Sequence, residues 1–206
     1  MQQDSATMLI AFEGPIGAGK TTLARQLADH LGQSTRLLLE DFAGNAFLSD
    51  FHIQAERWAL PTQLEFLISR HEQLCLPDAD PDAIIIADHT LMKDRIFAEL
   101  LLDGRELALY ERIAQALDNG YPTPDVLVYL DAPTPVLLER IAQRGRTFEQ
   151  NISGDYLDAL RQAYSRYLDA PETSILVVRQ DTSSIPLNAA DETRRLWQRI
   201  RHVVGH

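Results

Sequence analysis

Apolar residues in this chain fall into short, nearly unbroken runs separated by longer stretches with helical spacing. The runs at 8–12, 36–39, 83–87, 125–130 and 174–178 are rich in Ile, Val and Leu. They predict strands, and their near-continuous apolar content predicts burial on both faces of a parallel sheet. Between them, apolar positions recur three and four apart at 22–31, 55–75, 93–102, 106–119, 135–144, 155–168 and 191–203, which predicts helices. Strand alternating with helix is the pattern of an α/β fold, here a five-stranded parallel sheet flanked by helices. Pro135 suits a first helical turn, with Thr134 as its cap. Residues 77–81 and 120–124 read as turns. No repeat or long linker interrupts the pattern, so residues 1–206 form one domain.

Charge and composition narrow the partners. A net charge of -11 argues against broad nucleic-acid or anionic-membrane binding, either of which needs a basic surface. No apolar run approaches the ~20 residues of a membrane span. The start M-Q-Q-D-S lacks the cationic residues of a signal peptide, so a cytoplasmic location is expected. Cys75 is the only cysteine, which excludes an intrachain disulfide and a thiolate metal cluster. Beside Leu74 and Leu76 it reads as a small packing residue.

The chemistry begins where the first strand meets the first helix. Gly14 to Thr21 read G-P-I-G-A-G-K-T, a complete phosphate-binding loop. Gly14, Gly17 and Gly19 let the backbone adopt positive φ, so that amides of the loop, through Ile16, Ala18 and Thr22, can approach phosphate oxygens. Lys20 brings a charge to the β- and γ-phosphates of ATP, and the Thr21 hydroxyl is the expected ligand of Mg²⁺. Lys20 and Lys93 are the only lysines. A compact, flexible ammonium at Lys20 suits a phosphate site.

Ligands of such sheets gather beyond the carboxyl ends of the strands. Here those positions are Glu13 and Gly14, Glu40 and Asp41, Asp88 and His89, and Asp131. Asp88 can hold Mg²⁺ through water, as a Walker-B carboxylate does. Asp131 can equally serve the turn before the next helix. A second cluster is basic: Arg140, Arg144 and Arg146 surround Gly145, where a helix runs out into a polar segment. They suggest an Arg-rich lid at about 144–154 that neutralises a transferring phosphoryl group.

Together these segments resemble the deoxyribonucleoside kinases. The resemblance is carried by I-A-F-E-G-P-I-G-A-G-K-T-T-L-A, E-R-W-A-L-P-T-Q-L-E-F-L-I-S-R, D-H-T-L-M-K-D-R-I-F-A and R-G-R-T-F-E-Q, in the family's order across residues 9–168. Its finer likeness is to bacterial deoxyguanosine and deoxyadenosine kinases. The resemblance implies the P-loop kinase fold, and transfer of the γ-phosphoryl group of Mg·ATP to the 5′-hydroxyl of a deoxynucleoside. By its pattern Glu40 is the base for that hydroxyl, Gln63 reads the nucleobase, and Arg70 and Asp94 form a charged pair near the base. Glu149 meets the sugar 3′-hydroxyl, and Arg144 and Arg146 meet the ATP phosphates. The adenine-binding loop would span 180–185. Relatives are commonly dimers, which implies a homodimer, or a heterodimer with a paralogue, through residues 55–75 and 93–102.

This chain also departs from the pattern. An arginine expected after the third strand is missing from Asp88-His89-Thr90, and either His89 or Lys93 takes its place. His52 stands where many members have a sugar-contacting tyrosine. Trp58 and Phe66 either wall the base pocket or belong to the core. Two rival functions share the loop and lid. One is a kinase for nucleoside monophosphates or another small metabolite; the other is a weakly active nucleotide-binding subunit.

Overall fold

The computed structural model describes residues 7–32, 34–74, 83–117, 122–170, 175–184 and 190–205. The expectations for Cys75, the 77–81 turn, Gly120 and the end of the 180–185 loop lie outside them. Five parallel strands form one sheet: β1 Met8–Glu13, β2 Thr35–Leu38, β3 Ile84–Ala87, β4 Val126–Asp131 and β5 Leu176–Asp181. Their order is β2-β3-β1-β4-β5, and every pair is parallel, as the α/β pattern predicts for the pairing. Ile10 lies in register with Ile86 on one side and Val126 on the other. The chain therefore leaves the central strand first toward one edge and then toward the other, which opens a crevice at the carboxyl end of β1.

Alternation along the strands sorts the core. Ile10 and Phe12 face the layer of α1 (Lys20–Leu31), α6 (Thr134–Arg144) and α8 (Ala190–Val204), packing with Leu27, Leu137 and Ile200. Ala11, Leu127 and Tyr129 face the other layer, where α4 (Leu91–Leu101) and α7 (Gly154–Leu168) supply Ile96, Leu160 and Tyr164. Fully burying a side chain of this size contributes about 1.5–3 kcal/mol. The expectation of burial on both faces holds for β1, β3 and β4. It fails at the edges, where β2 and β5 carry exposed positions such as Arg36 and Leu176, because each pairs on one side only.

Two local expectations are corrected. A short helix α2, Leu48–Ile53, precedes α3, Ala55–Leu74, with only Gln54 between them; six residues are too few to show a helical period. The helix after β4 begins at Thr134 behind Pro133, with no side-chain cap. Thr134 is no cap because its hydroxyl donates instead to Asp158 on α7. The remaining helix, α5, spans Gly104–Leu117.

Candidate active site

Each glycine of the phosphate loop has a positive φ: +143° at Gly14, +87° at Gly17 and +97° at Gly19. At Gly14 a Cβ would also stand 2.1 Å from the Leu130 carbonyl oxygen, so the loop needs glycine there for space as well. Helix α1 starts at Lys20, directing its first amides at the same point. The Lys20 ammonium folds back to donate to the carbonyls of Gly14 (2.7 Å) and Pro15 (3.0 Å). Desolvation, together with the charge of Lys93, lowers its pKa to about 8, against the pull of Glu13, Glu40 and Asp88. Glu13 itself is fully buried, accepting from Thr90 (2.6 Å) and Tyr164 (2.8 Å).

Thr21 Oγ1 donates to Asp88 Oδ2 at 2.5 Å, and the other Asp88 oxygen accepts from the Glu40 amide at 2.7 Å. Asp88 therefore joins the phosphate loop to the loop after β2. Burial alone would raise its pKa, but hydrogen bonds from His89 and Thr21 and the charge of Lys93 hold it below the ordinary value.

Glu40 is the centre of a buried charge network. Arg70 of α3 pairs with one Glu40 oxygen and also with Asp94 of α4. Lys93 of α4 donates to the other Glu40 oxygen at 2.6 Å. Burial would raise the Glu40 pKa, yet Arg70 and Lys93 overcome it and hold the carboxyl well below the usual range. Glu40 is thus an ionised acceptor. Arg70 also lies 4.9 Å over the Phe66 ring, and Phe66 meets Phe42 edge-on.

Gly145, at φ +67°, ends α6 in the left-handed region and turns the chain into a short 3₁₀ turn, Thr147–Glu149. Ser153 caps α7 through the Tyr156 amide. Arg144 grips Glu149 through Nε (3.0 Å) and Nη2 (2.6 Å), and Arg146 lies 3.4 Å from its other oxygen. Arg146 also sits 4.8 Å over Phe42, while Phe148 stacks on His52 of α2 with ring centres 5.2 Å apart. Burial lowers the His52 pKa, and Glu149 opposes that. Arg144, Arg146, Phe148 and Glu149 thus border a cavity of about 360 Å³ that reaches from the loop at 14–21 to Gln63, Phe66 and Leu101.

A family model described as deoxynucleoside kinase matches residues 10–205. The chain belongs to the deoxynucleoside kinase family. It is 35% identical to a deoxyguanosine kinase of Bacillus subtilis over 90% of this chain and 92% of that protein. It is 34% identical to a deoxyadenosine kinase of Dictyostelium discoideum, over 82% of this chain and 70% of that protein. A deoxyadenosine kinase from M. mycoides, solved with dCMP and dCDP, superimposes with a TM-score of 0.81. The superposition covers 95% of this chain and 100% of that structure at 21% identity, and so confirms the fold.

Within this deoxynucleoside kinase, Gly17, Gly19, Lys20, Thr21, Thr22, Ile16, Glu40, His52, Gln63, Arg70, Asp88, Arg144, Arg146 and Glu149 all line that single cavity. His89 does not. It is fully buried with Nδ1 3.3 Å from Asp88, which orients the strand-end carboxylate. Asp94 also stays behind Arg70, buried and outside the lining. Arg140 departs from the lid cluster, because its guanidinium binds the hydroxyl (2.9 Å) and carbonyl (2.5 Å) of Thr182, at the end of β5. Asp131 is taken by Arg161 through both oxygens, at 2.8 and 2.9 Å. Of the two aromatics, Phe66 walls the cavity, while Trp58 stacks on Phe47 outside it. Sequence reasoning missed Phe42, Phe97 and Phe148 as lining. A signal existed for Phe42, which follows the strand-end pair Glu40-Asp41 directly.

Proposed function

We propose that the chain transfers the γ-phosphoryl group of ATP to the 5′-hydroxyl of a purine deoxynucleoside, deoxyguanosine or deoxyadenosine, in nucleotide salvage. The observation that carries this reading is the placement of Glu40. It is an ionised, buried carboxylate, linked through Asp88 to the phosphate loop and opening onto the same cavity as Gln63. In this reading the nucleoside lies between Gln63, which offers a donor and an acceptor to the base edge, and Glu149, which meets the 3′-hydroxyl beside His52. Arg70 fixes Glu40 and borders the base, with Asp94 steadying Arg70 from behind. Lys20, Arg144 and Arg146 neutralise charge on the transferring group, which in-line transfer through a loose transition state requires. The lid arginines are paired with Glu149, so a triphosphate that draws the arginines and a sugar that takes Glu149 break the same pairs, which couples the two ligands.

Thr21 and Asp88 are adjacent hard oxygen donors, the kind that suits Mg²⁺, and these two residues would hold it. The ion supplies charge neutralisation for the phosphates when bound. The 5′-hydroxyl donates its proton to Glu40 as the new bond to phosphorus forms, and the electron pair of the old bond leaves with ADP.

Purine preference rests on the named relatives, a deoxyguanosine and a deoxyadenosine kinase. A cytoplasmic homodimer belongs to the same proposal. Exposed Ile68 on α3 and Leu109 on α5 support a face for the second copy, whereas α4 buries Met92, Ile96 and Ala98 and offers less surface than its apolar sequence suggests. Steady-state kinetics with the four deoxynucleosides and ATP test the activity. Purine deoxynucleosides should exceed pyrimidine ones in kcat/KM by roughly tenfold or more. Preference for a nucleoside monophosphate acceptor would overturn the assignment.

A further inference from the structure

The chain has two lysines, and both open onto the cavity described above. Lys20 belongs to the phosphate loop. Lys93 sits in the first turn of α4, where the helix dipole disfavours a cation, and its side chain is only 7% exposed, where desolvation disfavours it again. Neutralising Glu40 does not account for it, since Arg70 already pairs with that carboxylate. Nor is it held by a rigid fork: its ammonium has Glu40 at 2.6 Å and otherwise lies 5.6 and 5.8 Å from the faces of Phe42 and Phe97. An ammonium on a flexible stem, between aromatic walls, can turn from one acceptor to another with little rearrangement.

Resting on the kinase reading above, we infer that Lys93 is a catalytic residue that donates to the transferring phosphoryl group from the side opposite Lys20 and, in turning to it, frees Glu40 to take the proton of the acceptor. The alternative cation, His89, is sealed from the cavity and faces Asp88. In the step itself, the acceptor oxygen loses its proton to Glu40 and bonds to phosphorus. The bond from phosphorus to the bridging oxygen breaks, with its electron pair leaving on ADP. Lys93 neither gives nor takes a proton in the step. Its departure from Glu40 leaves that carboxylate oxygen free to accept the proton.

The test compares the full-length protein with Lys93→Met and Lys93→Arg. Calorimetry measures the affinity of a purine deoxynucleoside and, separately, of its 5′-monophosphate, which carries the transferred group. Lys93→Met should weaken the monophosphate at least ~tenfold while leaving the nucleoside within about threefold, and Lys93→Arg should restore most of the loss. In the same variant, kcat should fall by about 10² or more. Equal loss for both ligands would reduce Lys93 to a support for Glu40 and overturn the inference, as would an unchanged kcat. If Lys93→Met does not fold, Lys93→Gln carries the same comparison. A wild-type protein that binds neither ligand would overturn the kinase reading itself, a result distinct from selective failure of the variant.

Discussion

From Gly14 to Thr21 the proposed donor site is one contiguous segment whose shape comes from positive φ angles and backbone amides. The proposed acceptor side of the same cavity takes Glu40 from the loop after β2, Arg70 and Gln63 from α3, Lys93 from α4 and Glu149 from the turn after α6, with Asp94 behind Arg70 and outside the lining. The first is held together by covalent neighbours and the second by ion pairs across the fold. Damage to the donor loop should therefore cost binding and leave folding alone, whereas damage to the acceptor network should cost both.

Lys20→Met is the strongest break. Its ammonium binds only loop carbonyls and is already disfavoured in the fold, as its lowered pKa records, so thermal stability should hold or rise. Loss of the phosphate contact should lower kcat/KM for ATP by about 10³. A large drop in melting temperature would show that the donor loop too depends on tertiary charge pairing. Arg70→Met is the converse. It leaves Asp94 buried without its cation, which should lower unfolding stability by about 3–5 kcal/mol in urea titrations. A variant as stable as wild type would mean that the network is not what ties α3, α4 and the β2 loop together.

The same contrast has a pH signature. Lys20 is charged below about pH 8 and loses its proton as pH rises through that value. Because kcat/KM reports the free enzyme, the value for ATP should be level on the acid side and fall on the alkaline side, by roughly tenfold per pH unit. Glu40, held far below the usual carboxylate range, should contribute no acid limb near neutrality. The smallest effect is expected outside the cavity: Trp58→Leu removes a ring that stacks on Phe47, so nucleoside KM should stay within about twofold.

How much was legible in the sequence follows the same division. The sheet and the phosphate loop were readable because unbroken Ile and Val runs and spaced glycines act locally. The lid was readable at Gly145 because a left-handed helix end favours glycine. The partners of the arginines were not readable, since residue type alone does not say that Arg140 will find Thr182 while Arg144 and Arg146 find Glu149. His89 looked like a site residue because it follows a strand-end acid. The backbone turns its ring inward, and the cation that reaches the cavity is Lys93, on the first turn of the following helix. Helix α2 escaped notice for its shortness, although it presents His52 to the lid.

The central claim is that Glu40 is the acceptor-side carboxylate of a site whose donor half stands on its own. Glu40→Gln keeps the shape of the side chain while removing its charge and turning one acceptor oxygen into a donor, so kcat with a purine deoxynucleoside and the ATP dissociation constant, measured on one preparation, test it most directly. The account predicts a fall in kcat of about 10² or more with ATP affinity within about threefold of wild type. An unchanged kcat would contradict it.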